Sequence, residues 1–203
     1  MNTWTDALRR GLIGGSIASA ASAVALMIGG RACGCGPYAP INAPSQWVWG
    51  QRALAARGPS LQHTLTGCLI HHGSSVLWGI VHARWFAPAG HTPSTPGAIA
   101  GATATAGLAC IVDYKLTPPR LRPGFEHHLS RPALTAVYAA LAIGLAASTL
   151  ALQRPARRGC PDEGGTEGIA PSPGPATPRS DCTTTDGSCG AGSAGISATQ
   201  IEA

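Results

Sequence analysis

From residue 131 to residue 154 the chain reads RPALTAVYAALAIGLAASTLALQR, which places 22 residues without a formal charge between two arginines. A helix needs roughly 20 consecutive apolar residues to cross the hydrocarbon of a bilayer, and this stretch supplies them. Ala133, Leu134, Val137, Leu141, Ile143, Leu145, Leu150 and Leu152 leave it no charged face. An apolar helix without such a face is not soluble by itself. Three more windows share the property: 20 uncharged residues follow Arg10, 26 follow Arg57 and 28 follow Arg84. These windows predict membrane spans over 11–29, 64–82, 96–116 and 132–152. Alternation with period two is missing, so a membrane barrel is not expected. Inside lipid the backbone must satisfy its own hydrogen bonds, which leaves helices.

The composition agrees. Of 203 residues, 44% are hydrophobic and 11% charged, against about 25% charged in an ordinary soluble domain. The shortage has a boundary. Residues 154–203 contain no Leu, Val, Met, Phe, Tyr or Trp, and 15 of them are Gly or Pro. A segment with so little to bury cannot offset its ordering entropy, so a disordered tail is expected after an integral membrane domain over 1–153. The tail has net charge −2 and the membrane domain +7. Basic residues flanking spans have anionic lipid to meet, so the bilayer, not nucleic acid, is the expected partner. Arg9-Arg10 before an apolar stretch also resembles a secretory signal. No small-x-small cleavage site follows Ile28, and a secreted cargo would not carry three further spans.

Four spans return the chain to its starting side. Lys and Arg then divide six against seven, which fixes no orientation under the positive-inside rule. Arg154, Arg157 and Arg158 beside the last span, followed by a polar tail, favour cytoplasmic termini. Between spans one and two, Asn42 to Gly50 (NAPSQWVWG) predicts a short interfacial helix capped by Asn42 or Ser45 and stopped by Gly58-Pro59. Trp47 and Trp49 suit the headgroup level there. Arg52 and Arg57 argue against a segment that dips into the membrane. Between spans three and four, Pro118, Pro119 and Pro123 predict a rigid, non-helical connection.

Small residues recur at four-residue spacing: Gly11, Gly15, Ser19 and Ala23 in span one, Gly97, Gly101 and Thr105 in span three. Such faces let helix backbones approach closely, within one chain or in a homodimer. Span two differs. Thr64, Gly67, His71, Ser75, Trp78, His82 and Trp85 fall on one stripe, with Leu69, Val76, Leu77 and Ile80 opposite. A polar stripe on a membrane helix faces protein or water, and ionisable groups there are functional candidates. Asp113 is the one acid inside a proposed span, at the depth where span two begins, within reach of His71 or His72. Tyr138 lies at the same level. His71, His72, Asp113 and Tyr138 therefore form a candidate intramembrane polar site on the side of the first and third connections.

Other chemistry is thinly represented. Spans one, three and four hold no histidine, and His71 and His82 lie eleven residues apart. That is about 16 Å along a helix, so one chain cannot place both on a single haem iron. Cys33-Gly34-Cys35 could chelate a soft metal ion, although a lone C-x-C is a weak signal. Cys160, Cys182 and Cys189 in the tail lack zinc-module spacing. The phosphate-binding loop, the nucleophile elbow and the H-E-x-x-H metalloprotease motif are all missing, so no cofactor and no enzymatic activity are expected.

Asn42 to Gly50, His71-His72 with Trp78, and Asp113-Tyr114 followed by Arg120 to Glu126 (RLRPGFE) resemble a group of small bacterial inner-membrane proteins. The resemblance covers residues 9 to about 152. It implies an inner-membrane location and four spans; no activity is assigned to that group. The sequence thus predicts an all-α four-helix transmembrane bundle acting as a non-catalytic accessory or assembly protein, alone, as a homodimer, or with a membrane-protein partner. A small transporter or proton-coupled carrier using His71, Asp113 and Tyr138 is the second reading, and a metal or haem redox protein the third.

Overall fold

A computed structural model describes residues 4–88 and 93–153. The expected disordered tail, with its three cysteines, lies outside the described residues. Helix α1 spans Trp4–Ala32. The first connection coils as α2 (Ala39–Asn42), a 3-10 turn (Ala43–Ser45), α3 (Gln46–Trp49) and α4 (Gln51–Ala55). A wide turn over Leu61–Leu65 leads into α5 (Thr66–Trp85). Helix α6 (Thr95–Ile111) ends in a second wide turn, Val112–Leu116. Two 3-10 turns, Pro119–Leu121 and Phe125–His127, precede α7 (Arg131–Gln153). Among the described residues there is no strand.

Three segments are long and apolar enough to cross a membrane: Trp4–Ala32, Thr95–Leu116 and Arg131–Leu152. Helix α5 is long enough at 20 residues but is not among them, because it carries His71, His72, His82 and Arg84. The distribution of side-chain size is inverted relative to a protein in water. Leu69, Ile143 and Ile28 are 62%, 67% and 63% exposed, while the interior is built on Ala18, Ala102, Ala106 and Ala109 with Leu145. Large aliphatics outside and alanines inside suit a surface wrapped by lipid and are compatible with an integral membrane protein.

Helix α1 packs between α5 and α7, and α6 lies against α7. Glycines set the spacing. A Cβ built on Gly15 would sit 2.5 Å from the Val76 Cα, and one on Gly11 equally close to the Ile80 Cα. From the other side, a Cβ on Gly79 would lie 2.7 Å from the Gly15 Cα, and one on Gly144 2.5 Å from the Ala18 Cα. The backbones therefore touch where the sequence placed small residues on α1. Two expectations change. Val76 and Ile80, placed on the outer face, lie against α1 at these glycines, and Trp85, placed on the inner stripe, is 61% exposed. Gly101 meets the Phe86 side chain, whereas a Cβ on Gly97 would meet only Ser94 and Pro93. Gly97 belongs to the helix start, donating its N–H to the capping Ser94 hydroxyl at 3.3 Å. Ser19 is buried in α1, as a packing residue should be.

At the end of the bundle where α6 begins, one histidine ties three helices. His82 is buried, with Nδ1 3.1 Å from Thr105 Oγ1 on α6 and Nε2 2.9 Å from Thr149 Oγ1 on α7. Each threonine also reaches its own backbone, to the Gly101 and Leu145 carbonyls. A neutral imidazole has one N–H. One threonine can accept it and keep its carbonyl bond; the other must turn its hydroxyl hydrogen to the ring.

Replacing Gly79 with valine forces α1 and α5 apart. The expected cost is about 1–3 kcal/mol, as for other overpacked interiors, read as a lower melting temperature of the detergent-solubilised protein. Gly107→Ala, where a Cβ meets nothing within 4 Å, leaves that temperature unchanged or raises it.

Candidate functional site

The site is a cleft at the end of the bundle opposite His82, with a cavity volume of about 50 Å³. Its floor and walls come from α1 (Ser22), α5 (His71, Ser74, Trp78), the end of α6 (Asp113) and α7 (Tyr138). Trp47 and Pro44 of the first connection and Pro123 and Phe125 of the third form its roof. The structure thus brings together three of the four residues singled out from sequence. His72, one residue from His71 and so about 100° around the helix, is exposed and does not line the cleft.

Asp113 and Tyr138 are bonded directly: the Tyr138 hydroxyl donates to Asp113 Oδ2 at 2.7 Å. Tyr114 stands edge-on to Tyr138, ring centres 6.3 Å apart. The wide turn that ends α6 holds the acid here. Both the N–H and the hydroxyl of Thr117 donate to the Val112 carbonyl at 2.8 Å, closing the turn around Asp113. His71 does not touch Asp113. Its Nε2 lies 3.0 Å from the Ser22 hydroxyl, which donates to the Ala18 carbonyl at 2.8 Å. If the Ser22 hydroxyl keeps its carbonyl bond, His71 donates from Nε2; if it turns to the ring, Nε2 accepts. Phe125 meets the His71 ring edge-on at 6.0 Å.

The roof is organised by Asn42. Its side-chain amide donates to the Ala56 and Gly58 carbonyls, both at 2.9 Å, and its Oδ1 accepts from Thr64 Oγ1 at 2.7 Å. Asn42 is fully buried and caps no helix, contrary to the sequence expectation. The expected single helix of the first connection is instead broken at Gly50, whose φ of +63° only glycine adopts easily. The break turns Gln46 and Trp47 toward the third connection. Gln46 Nε2 and Trp47 Nε1 both donate to the Arg122 carbonyl, at 2.7 and 3.2 Å. The third connection contains 3-10 turns but no α-helix, as its prolines require.

Ser22, Ser74, Trp47, Trp78 and Phe125 are among the cleft residues that sequence reading left out of the site. A serine on the small-residue face of α1 was the available signal for Ser22; nothing local marks Phe125.

The cysteine pair lies nearby but outside the cleft. The Cys35 thiol has the Gly30 and His128 carbonyls within reach of its one hydrogen, and Cys33 reaches Ser130 at 3.8 Å. Burial pushes the Cys35 thiol up, Cys33 adds to this, and a backbone hydrogen bond and Arg57 oppose it. Among the described residues, no group of three or more His, Cys, Asp or Glu is placed to hold a metal ion. Burial also pushes His128 down, with His127 and Arg57 reinforcing the shift and Glu126 opposing it.

In comparisons with protein families, curated proteins and solved structures, the chain matches none.

Truncating Asn42 to alanine strands two backbone carbonyls of the roof. The expected loss is about 1–3 kcal/mol. Limited proteolysis should then cut first within residues 50–60, while wild type resists at the same protease concentration.

Proposed function

We propose that the chain is a four-span integral membrane protein that serves as a non-catalytic accessory, holding a small ligand in a pocket open to one side. The carrying observation is that His71, Asp113 and Tyr138 meet in a single cleft whose deep side is filled. Beyond Trp78 and Leu141 come Ala18, Ala102, Ala106 and Leu145, and then the His82 hydrogen bonds. A binding pocket needs one entrance; a carrier must open to both faces. On this reading α5 is the fourth span, its polar residues turned to Ser22 and Thr105 and its Leu69 and Leu77 turned outward. The first connection is then an interfacial segment at the cleft mouth. An inner membrane and cytoplasmic termini remain the assignment favoured by the resemblance and the basic residues beside the tail. The carrier reading stands second, supported by the Asp113–Tyr138 pair as a protonatable centre.

Two measurements test this. In sealed vesicles bearing single-cysteine variants, an impermeant maleimide should label Cys33 and Cys182 from opposite faces. Labelling from the same face would mean three spans, with α5 not crossing. A Ser74→Cys variant in the same background should react only from the face that exposes Cys33. Reaction from both faces would establish alternating access and replace the accessory reading with the carrier.

A further inference from the structure

We infer that the cleft takes a small alkylammonium group, with Asp113 as its counter-ion and aromatic rings as its walls. The inference rests on the reading of the cleft as a one-sided pocket and deepens it by naming the ligand chemistry. Three observations carry it. First, Asp113 is bonded to a neutral phenol through Oδ2, while no described residue donates to Oδ1. Second, no arginine or lysine lines the cleft, and the charged neighbour acting on Asp113 is another acid, Glu126. The pocket therefore holds a carboxyl group with no arginine or lysine to pair it. Third, Trp47, Trp78, Phe125 and Tyr138 supply four aromatic side chains around that acid. Aromatic faces attract a cation through their quadrupole, and tryptophan does so best.

Alternative ligands fit less well. An anion would meet the Asp113 carboxyl and no arginine or lysine. A hard metal ion takes six or more oxygens, and the cleft has one carboxylate. A neutral apolar molecule would bury the carboxylate with only the Tyr138 hydroxyl as its partner, which is costly. An alkylammonium ion matches both features: N–H or polarised C–H groups for Oδ1, and a weakly hydrated surface for the rings. The same group occurs on free amines and on ethanolamine or choline lipid headgroups, and the cleft lies at the end of the bundle where headgroups would stand.

The test uses the full chain in detergent, titrated with choline and monitored by tryptophan fluorescence, since Trp47 and Trp78 line the cleft. A saturable change is expected. The uncharged isostere 3,3-dimethylbutan-1-ol should bind at least about tenfold more weakly. Asp113→Asn should lose a similar factor and Asp113→Glu should recover part of it. Trp78→Leu should weaken binding about three- to tenfold. Circular dichroism of each variant identifies any that fail to fold; Asp113→Glu and Trp78→Leu then carry the test. In nanodiscs, loss of choline binding in phosphatidylethanolamine but not in phosphatidylglycerol assigns the site to a lipid headgroup; equal binding in both assigns it to a free amine. No saturable response to choline, or equal affinity for the isostere, overturns the inference. Ser74→Cys labelling from one face would still uphold the pocket, so the two failures are distinguishable.

Discussion

Close contact between backbones is the constraint on which the remainder of the structure depends. Lipid tails are as apolar as leucine, so helices surrounded by them gain little by burying aliphatic side chains against one another. They gain by dispersion and polar contact at short range. Gly11, Gly15 and Gly79 bring α1 and α5 to backbone contact, and Gly144 does the same for α7 on Ala18. With α1 held between α5 and α7, α6 is left to lie against α7. It is joined to α5 at one end by His82 and Thr105. At the other end the cleft lies between them. The pocket is thus a consequence of where the small residues were spent.

Polar groups in such surroundings have few partners, and those of the roof each tie down a named carbonyl. Asn42 satisfies two carbonyls of a loop that would otherwise need water. Gln46 and Trp47 fasten the first connection to the third through one carbonyl, that of Arg122. These bonds close the roof with side chains from a segment that contains no long helix. Order there comes from proline and from side-chain hydrogen bonds to backbone carbonyls.

How much of this was legible in the sequence follows from the range of the forces involved. The apolar windows and the four-residue glycine spacing are local properties of one helix, so the third and fourth spans could be placed within a residue or two, while α1 starts seven residues before its predicted span. The meeting of Asp113, Tyr138 and His71 was legible because charge is rare here and depth along a span can be counted. Helix rotation was not. Periodicity placed Val76 and Ile80 opposite the polar stripe, but Gly15 and Gly11 of α1 make room for a second packed face there. The break at Gly50 was missed because a helix-compatible sequence surrounds it, and only the pull of Arg122 shows which way the chain turns. His72 fell out of the site because neighbouring residues on a helix diverge by about 100°.

The position of Asp113 gives the cleft its chemical character. It sits at the C-terminal end of α6, where unpaired carbonyls make the helix end partially negative. A carboxylate is poorly placed there, and the adjoining π-type turn adds no donor beyond what Thr117 spends on Val112. The fold answers with one neutral hydroxyl, from Tyr138. Nearby arginines do not supply the missing charge: Arg122 turns its Nε to the Thr117 carbonyl at 3.4 Å and lends its own carbonyl to the roof. Wide turns of this kind recur at functional sites because they re-aim side chains at a cost in local regularity. An acid placed against the local field, held by a single phenol and ringed by aromatic side chains, is a poor stabilising device. Its arrangement makes physical sense when something positively charged completes it.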